Sequence, residues 1–204
     1  MAPPASYTRT TVDFLRHGEV QGGNYFRGVT DDPLTELGWQ QMFQQCLGHQ
    51  WQVVITSPLR RCLSFASAWS QEQLAKVVIE SGWKEIDFGE WEGKSAEEIN
   101  LLQPGILVDY YANPLEFTPP HAESYASFAM RVQQAWEGLL TNYPGQNVLV
   151  VTHAGVIRQI FSTLLAIPVQ HSFQIEVPHA CLTRLSCFDD MAGRFVQLNF
   201  HRPI

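Results

Sequence analysis

Asn147-Val148-Leu149-Val150-Val151-Thr152-His153-Ala154-Gly155 is the stretch that decides the fold. Its VLVV run is apolar, valine-rich and unbroken by polar residues, the pattern of a strand buried on both faces. It runs into the apolar segment Val156 to Ile167, which reads as a helix. A buried strand that turns directly into a helix is the building unit of an α/β domain, and ligands of such domains bind at the strand carboxyl ends.

Working outward, two more apolar runs end in polar clusters. Val12 to Leu15 leads into Arg16-His17-Gly18, and Val53 to Thr56 into Ser57-Pro58-Leu59-Arg60-Arg61. The first is expected to be an edge-like strand. Glu36 to Leu47 reads as a helix capped by Thr35 and closed by Gly48. Leu59 to Gln73 reads as a second helix and Lys76 to Glu80 as a further strand. Ser95-Ala96-Glu97-Glu98 is a capping-box sequence that should open a short helix. Between Pro104 and Pro120 a small helical excursion over the sheet edge is expected, with the character of a lid, and Ser124 to Asn142 is a long amphipathic helix. Phe173 to Val177, Leu182 to Phe188 and Phe195 to Phe200 read as strands, the last two a hairpin around Asp189-Asp190-Met191-Ala192-Gly193. The expected architecture is a single α/β domain over residues 1–204, a three-layer sandwich with a mostly parallel central sheet.

Composition excludes several functions. Twenty acidic against thirteen basic residues give a net charge of −7, which argues against a general nucleic-acid binder. Cys46, Cys62, Cys181 and Cys187 form no CxxC pair and read as free buried thiols. The amino terminus MAPPASYTRT has no basic region followed by an apolar stretch, and no segment reaches the roughly 18 apolar residues of a membrane span. A cytoplasmic location with no membrane partner is the expectation.

If the three strands are parallel, their polar ends share one sheet edge. Two histidines and at least two arginines then converge on one crevice, an arrangement suited to a tetrahedral dianion. Taken singly, His17 also reads as a turn histidine and His153 as a satisfied histidine at a helix start. His49, His121, His171 and His201 lack ligand spacing and read as surface residues; no metal and no cofactor are expected.

FLRHGEV, ITSPLRRC, KEIDFGEWEGKS and VTHAGVIR, in that order, resemble the signatures of the histidine phosphatase superfamily, with its phosphoglycerate-mutase-like fold. RGVTDDPLTELGWQQM, FGEWEGKS and PPHAESY most resemble the α-ribazole phosphatases of cobalamin biosynthesis. The resemblance implies a phosphomonoesterase acting on a small phosphorylated metabolite, α-ribazole 5′-phosphate or the related cobalamin 5′-phosphate. It implies His17 as the nucleophile, Arg16 and Arg61 as phosphate clamps, His153 as a second hydrogen-bond donor and Glu85 as the general acid. Arg60, next to Arg61, would point about 100° away on a helix, toward solvent. The Ala154 amide, at the start of a helix, could add a donor.

Substrate contacts are also expected from Asn24, Arg27 and Glu123. Arg27 lies in the loop after the nucleophile, where it can border the pocket or be a solvated loop arginine. Many relatives carry asparagine six residues after the nucleophile; here that position is Gly23 and the asparagine is Asn24. Glu123 and Ser124 line the entrance, or Ser124 caps the long helix; the family's preceding glycine is Ala122. A broad-specificity phosphatase or a phosphoglycerate mutase is the second enzyme reading, although mutases resemble this chain with additional inserts. A non-catalytic phospho-ligand-binding module would have lost His17, Glu85 or a clamp residue, and none is lost.

Overall fold

A computed structural model describes residues 7–204; the segment from Met1 to Ser6, most of the stretch read for a leader pattern, lies outside the described residues. Six strands, β1 (Thr8–Arg16), β2 (Val53–Thr56), β3 (Lys76–Ile79), β4 (Asn147–Thr152), β5 (Leu182–Asp190) and β6 (Gly193–Arg202), form one sheet in the order β3-β2-β4-β1-β5-β6. β3, β2, β4 and β1 run parallel, whereas β5 and β6 return antiparallel as a hairpin beside β1. The strand expected at the edge is therefore interior. β5 covers the flank of β1 that a sequence reading leaves open.

The period of two along β4 divides its side chains between two cores. Val148 and Val150 pack with Phe14, Trp136 and Ile157 on one face. Leu149 and Val151 pack with Leu15, Met42, Phe65 and Trp69 on the other. α1 (Glu36–Cys46) and α2 (Arg60–Gln73) cover this second face, and α5 (Tyr125–Asn142) and α6 (Ala154–Leu164) the first. Helices on both faces of a mostly parallel sheet make the three-layer α/β sandwich read from the sequence.

Local chemistry fixes the helix starts. The Thr35 hydroxyl accepts from the Gly38 amide. Ser95 and Glu98 complete a reciprocal capping box at α3 (Ala96–Leu102), and the Ser124 hydroxyl accepts from the Ser127 amide at α5. Between Pro104 and Pro120 the excursion is a two-turn helix, α4 (Ile106–Ala112). No helix among the described residues is long and apolar enough to cross a membrane.

Phe173 to Val177 is not a strand. It follows α7 (Val169–Ser172) as an irregular segment whose carbonyls are taken by side chains. Arg158 Nε donates to Ile175 O at 3.0 Å, a His201 ring nitrogen lies 2.7 Å from Glu176 O, and Arg16 Nη1 donates to Val177 O at 2.6 Å. Nor are His49 and His201 free surface residues: His49 stacks on Trp51 and His201 packs edge-on against Phe161. His121 and His171 are exposed.

The loop that follows β1 lies against α1, backbone to backbone. A Cβ on Gly38 would stand 2.1 Å from Glu19 O, and one on Gly18 would stand 2.1 Å from Gly38 O. No rotamer relieves such a clash. Gly38→Ala is accordingly expected to destabilise the protein by about 1–3 kcal/mol or more, read as a lowered urea midpoint; an unchanged midpoint would contradict the close approach.

Candidate active site

Parallel register brings the strand ends together. Arg16 of β1 lies opposite Thr152 of β4, and Thr56 of β2 opposite Val151. The ladder continues one residue further, His17 N to Thr152 O at 2.9 Å and Ser57 N to Val151 O at 3.0 Å. His17, Ser57 and His153 thus stand side by side.

His17 is 6% exposed. Its Nδ1 lies 2.9 Å from Gly18 O, and a carbonyl only accepts, so Nδ1 carries the hydrogen and Nε2 is left with a free lone pair. Burial, then the Arg16 and Arg61 guanidiniums, hold its pKa well below the ordinary value. The ring is neutral at physiological pH. His153 is fully buried and also held well below its ordinary pKa, by burial and then Arg61. Arg61 Nε donates to its Nδ1 at 3.3 Å, which leaves the hydrogen on Nε2, 2.9 Å from Ser57 Oγ. The two imidazoles meet edge to face, 5.2 Å between centroids.

Two guanidiniums flank them. Arg61 is 0% exposed and donates from Nη1 to Thr30 O at 2.7 Å and from Nη2 to Gly28 O at 2.8 Å. The second hydrogens of both nitrogens remain for another acceptor. Arg60 is exposed, as its helical position predicts. Arg16 is pulled down to about 10 by burial and stays a cation at neutral pH. Beyond its bond to Val177 O, its Nε is buried without a partner. A buried unpaired donor on a cation is costly unless an anion completes it.

Glu85 reaches the same crevice from the loop after the Ser81–Trp83 turn and is 9% exposed. Its Oε2 accepts from the Gly155 amide at 3.0 Å, at the N-terminus of α6, and its Oε1 from Ile86 N at 3.0 Å. A Cβ on Gly155 would stand 2.2 Å from Oε1, so a larger residue there would displace this carboxylate from its place. Ala154 opens α6, where first-turn amides lack helical acceptors.

The remaining expected contacts divide. Asn24 and Arg27 line a cavity of about 480 Å³ together with Arg16, His17, Glu85 and His179. Arg27 also braces its own loop, donating to Asp32 at 2.7 Å and to the Gln21 and Gly23 carbonyls at 3.0 Å, with its guanidinium 4.0 Å above the Tyr25 ring. Glu123 does not line this cavity. Its two oxygens each accept from Arg131 at 2.7 Å, and Arg131 in turn donates to the Gly82, Lys84 and Glu85 carbonyls. Glu123 therefore steadies the backbone that carries Glu85.

Sequence reasoning missed His179. Its ring lies 5.8 Å from that of His17, and burial, then Arg16, lowers its pKa to about 4. The available signal was Pro178-His179-Ala180-Cys181, directly before β5. An antiparallel β5 begins where β1 ends, with Leu182 opposite Leu15.

Parallel strand ends that gather neutral imidazoles, two guanidiniums and one carboxylate define an enzyme that handles phosphate. The model of the histidine phosphatase superfamily (branch 1) matches residues 12–201, and the chain belongs to that family. It is similar to the adenosylcobalamin/alpha-ribazole phosphatase of Escherichia coli (strain K12), 25% identical over 173 residues, 82% of this chain and 85% of that protein. Phosphoserine phosphatase 1 of Hydrogenobacter thermophilus is 27% identical over 158 residues, 75% of each chain. The native structure of a mycobacterial glucosyl-3-phosphoglycerate phosphatase shares the fold with a TM-score of 0.83 at 23% identity, over 94% of this chain and 97% of that one. The chain spans 45% of the length of three mycobacterial relatives matched at 29% identity. With this membership and relatives named as phosphatases, the protein is a histidine phosphatase.

The depressed histidines have a consequence for stability. Below about pH 6.5 the unfolded chain takes up protons that the folded one refuses. Their contribution is complete above that pH and is lost as the pH falls toward the folded pKa values. The urea midpoint should fall between about pH 7.5 and about pH 5, and His153→Gln should fall less steeply. Equal slopes in variant and parent would reject the assignment.

Proposed function

We propose that the protein hydrolyses phosphomonoesters through a phosphohistidine on His17 Nε2. The observation that carries this reading is the Nδ1 to Gly18 O hydrogen bond, which leaves Nε2 as an unprotonated nucleophile in a cavity lined by Arg16 and Glu85.

In the first step the Nε2 lone pair attacks phosphorus in line with the ester oxygen, and the P–O bond breaks. Protonated Glu85 gives its proton to the departing oxygen, so the alcohol leaves neutral. The unpartnered Nε of Arg16 and the spare Nη hydrogens of Arg61 receive equatorial oxygens. His153 donates from Nε2, exchanging Ser57 for a phosphoryl oxygen. The Ala154 amide and Asn24 are further phosphate donors at the crevice. In the second step the Glu85 carboxylate takes a proton from water, which attacks phosphorus, and the P–N bond breaks to return His17 and inorganic phosphate.

The natural substrate we propose is α-ribazole 5′-phosphate or the corresponding cobalamin 5′-phosphate. Its support is the motif resemblance and the Escherichia coli relative named for that activity. A broad-specificity phosphatase is the second reading, supported by relatives named for other phosphomonoesters.

Turnover of α-ribazole 5′-phosphate, 3-phosphoglycerate and an aryl phosphate should separate these readings. His17→Ala is expected to lower kcat by at least about 1000-fold on every substrate and to abolish an acid-labile phosphoprotein in rapid-quench trapping. Glu85→Gln should cost about 100-fold on alkyl esters and less on aryl esters, whose oxygen leaves without a proton. Release of phosphate that does not depend on His17 would overturn the mechanism.

A further inference from the structure

Glu85 borders two cavities. One is the phosphate cavity of His17 and Arg16. The other is a cleft of about 90 Å³ walled by Phe88, Tyr110, Tyr111 and Phe173, with Arg158 also in its lining.

The walls of the cleft come from separate parts of the chain. Tyr110 and Tyr111 belong to α4, Phe88 to the loop after Glu85, and Phe173 to the segment after α7. Tyr111 and Phe173 meet edge to face at 5.0 Å, and Tyr110 lies 6.2 Å from Phe173. Tyr110 is buried on the small core of Trp91, Ile99 and Leu107, so the inner wall is fixed. Tyr111, 42% exposed, forms the rim. Arg158, one helical turn beyond Gly155, is held by its Nε bond to Ile175 O.

In-line displacement puts the leaving oxygen on the side of phosphorus away from His17. The group that protonates that oxygen must touch it. The carbon of the leaving alcohol therefore lies against Glu85, and the aromatic cleft is the other cavity that Glu85 lines.

We propose that this cleft receives the leaving group and selects phosphomonoesters whose alcohol carries a flat, apolar ring within reach of Glu85. Aromatic walls reward a ring by burial and by edge-to-face contact. Serine and glycerate phosphates would leave those walls uncovered, whereas an alcohol bearing a heteroaromatic base covers them. The inference rests on the phosphohistidine reading above and adds the substrate class to it.

Benzyl phosphate and ethyl phosphate test it, because their alcohols are of similar basicity and the chemical step is matched. The wild-type kcat/KM for the benzyl ester should exceed that for the ethyl ester by about tenfold or more. Tyr111→Ala and Phe173→Leu, the second of which keeps an apolar side chain of similar bulk, should each lower that ratio severalfold. A wild-type ratio near one, or a ratio unmoved by both variants, overturns the cleft while His17-dependent turnover leaves the phosphatase mechanism standing. Absence of His17-dependent turnover on both esters overturns the two together.

Discussion

A guanidinium sealed from water is the constraint on which this site depends. Arg61 has no exposed surface, and burying a cation is tolerable only when its donors are satisfied. One hydrogen of each Nη ends on a carbonyl, Thr30 O or Gly28 O, and Nε ends on His153 Nδ1. The amides of the same loop, Gly28, Val29 and Thr30, point to the Glu92 carboxylate at 2.8, 3.1 and 3.0 Å. The loop is thus a layer of peptide dipoles between a cation and an anion. Removing either charge would leave the other facing unpaired dipoles in a dry interior. Because Arg61 also orients His153 and the loop presses Gly28 to within 1.9 Å, from a virtual Cβ, of Ile86 O, this layer fixes the crevice on two sides.

The sheet was legible wherever a residue pattern has one structural solution. VLVV can only be a two-sided strand beside the amphipathic α5, and Thr35, Ser95 and Ser124 announce their helices by local hydrogen bonding. Strand order is a different matter, since nothing in Val12 to Leu15 records what lies on each flank. Its interior position follows from a hairpin about 170 residues later, which turns back along β1. Phe173-Gln174-Ile175-Glu176-Val177 alternates like a strand, yet β5 already occupies the flank of β1. Its carbonyls are captured by Arg158, His201 and Arg16 instead.

That side chains at strand ends would come together was legible for the same reason. His17, Arg61 and His153 follow apolar runs whose parallel pairing brings them together. Residues that act through another group carry no such mark. Glu92 and Glu123 are two acids among several in their stretches, and only the folded chain shows one holding the Gly28 to Thr30 amides and the other holding Arg131. Asp13 is a third case, a carboxylate inside a strand. It is buried and paired with Arg184 and the Trp51 indole, within β1 and four residues before His17.

The segment from Phe173 to Val177 ties the phosphate cavity to the aromatic cleft. Through Val177 O it holds one nitrogen of Arg16, leaving Nε buried and unmatched; through Ile175 O it holds Arg158 at the cleft. Phe173 itself is a cleft wall. An anion that completes Arg16 bonds a side chain already fixed by this segment, so little ordering is left to oppose binding. A ring seated on Phe173, as proposed above, would rest on the same segment. In that proposal both groups belong to one phosphomonoester, and the spacing between them is set by a stretch of backbone too irregular to be a strand.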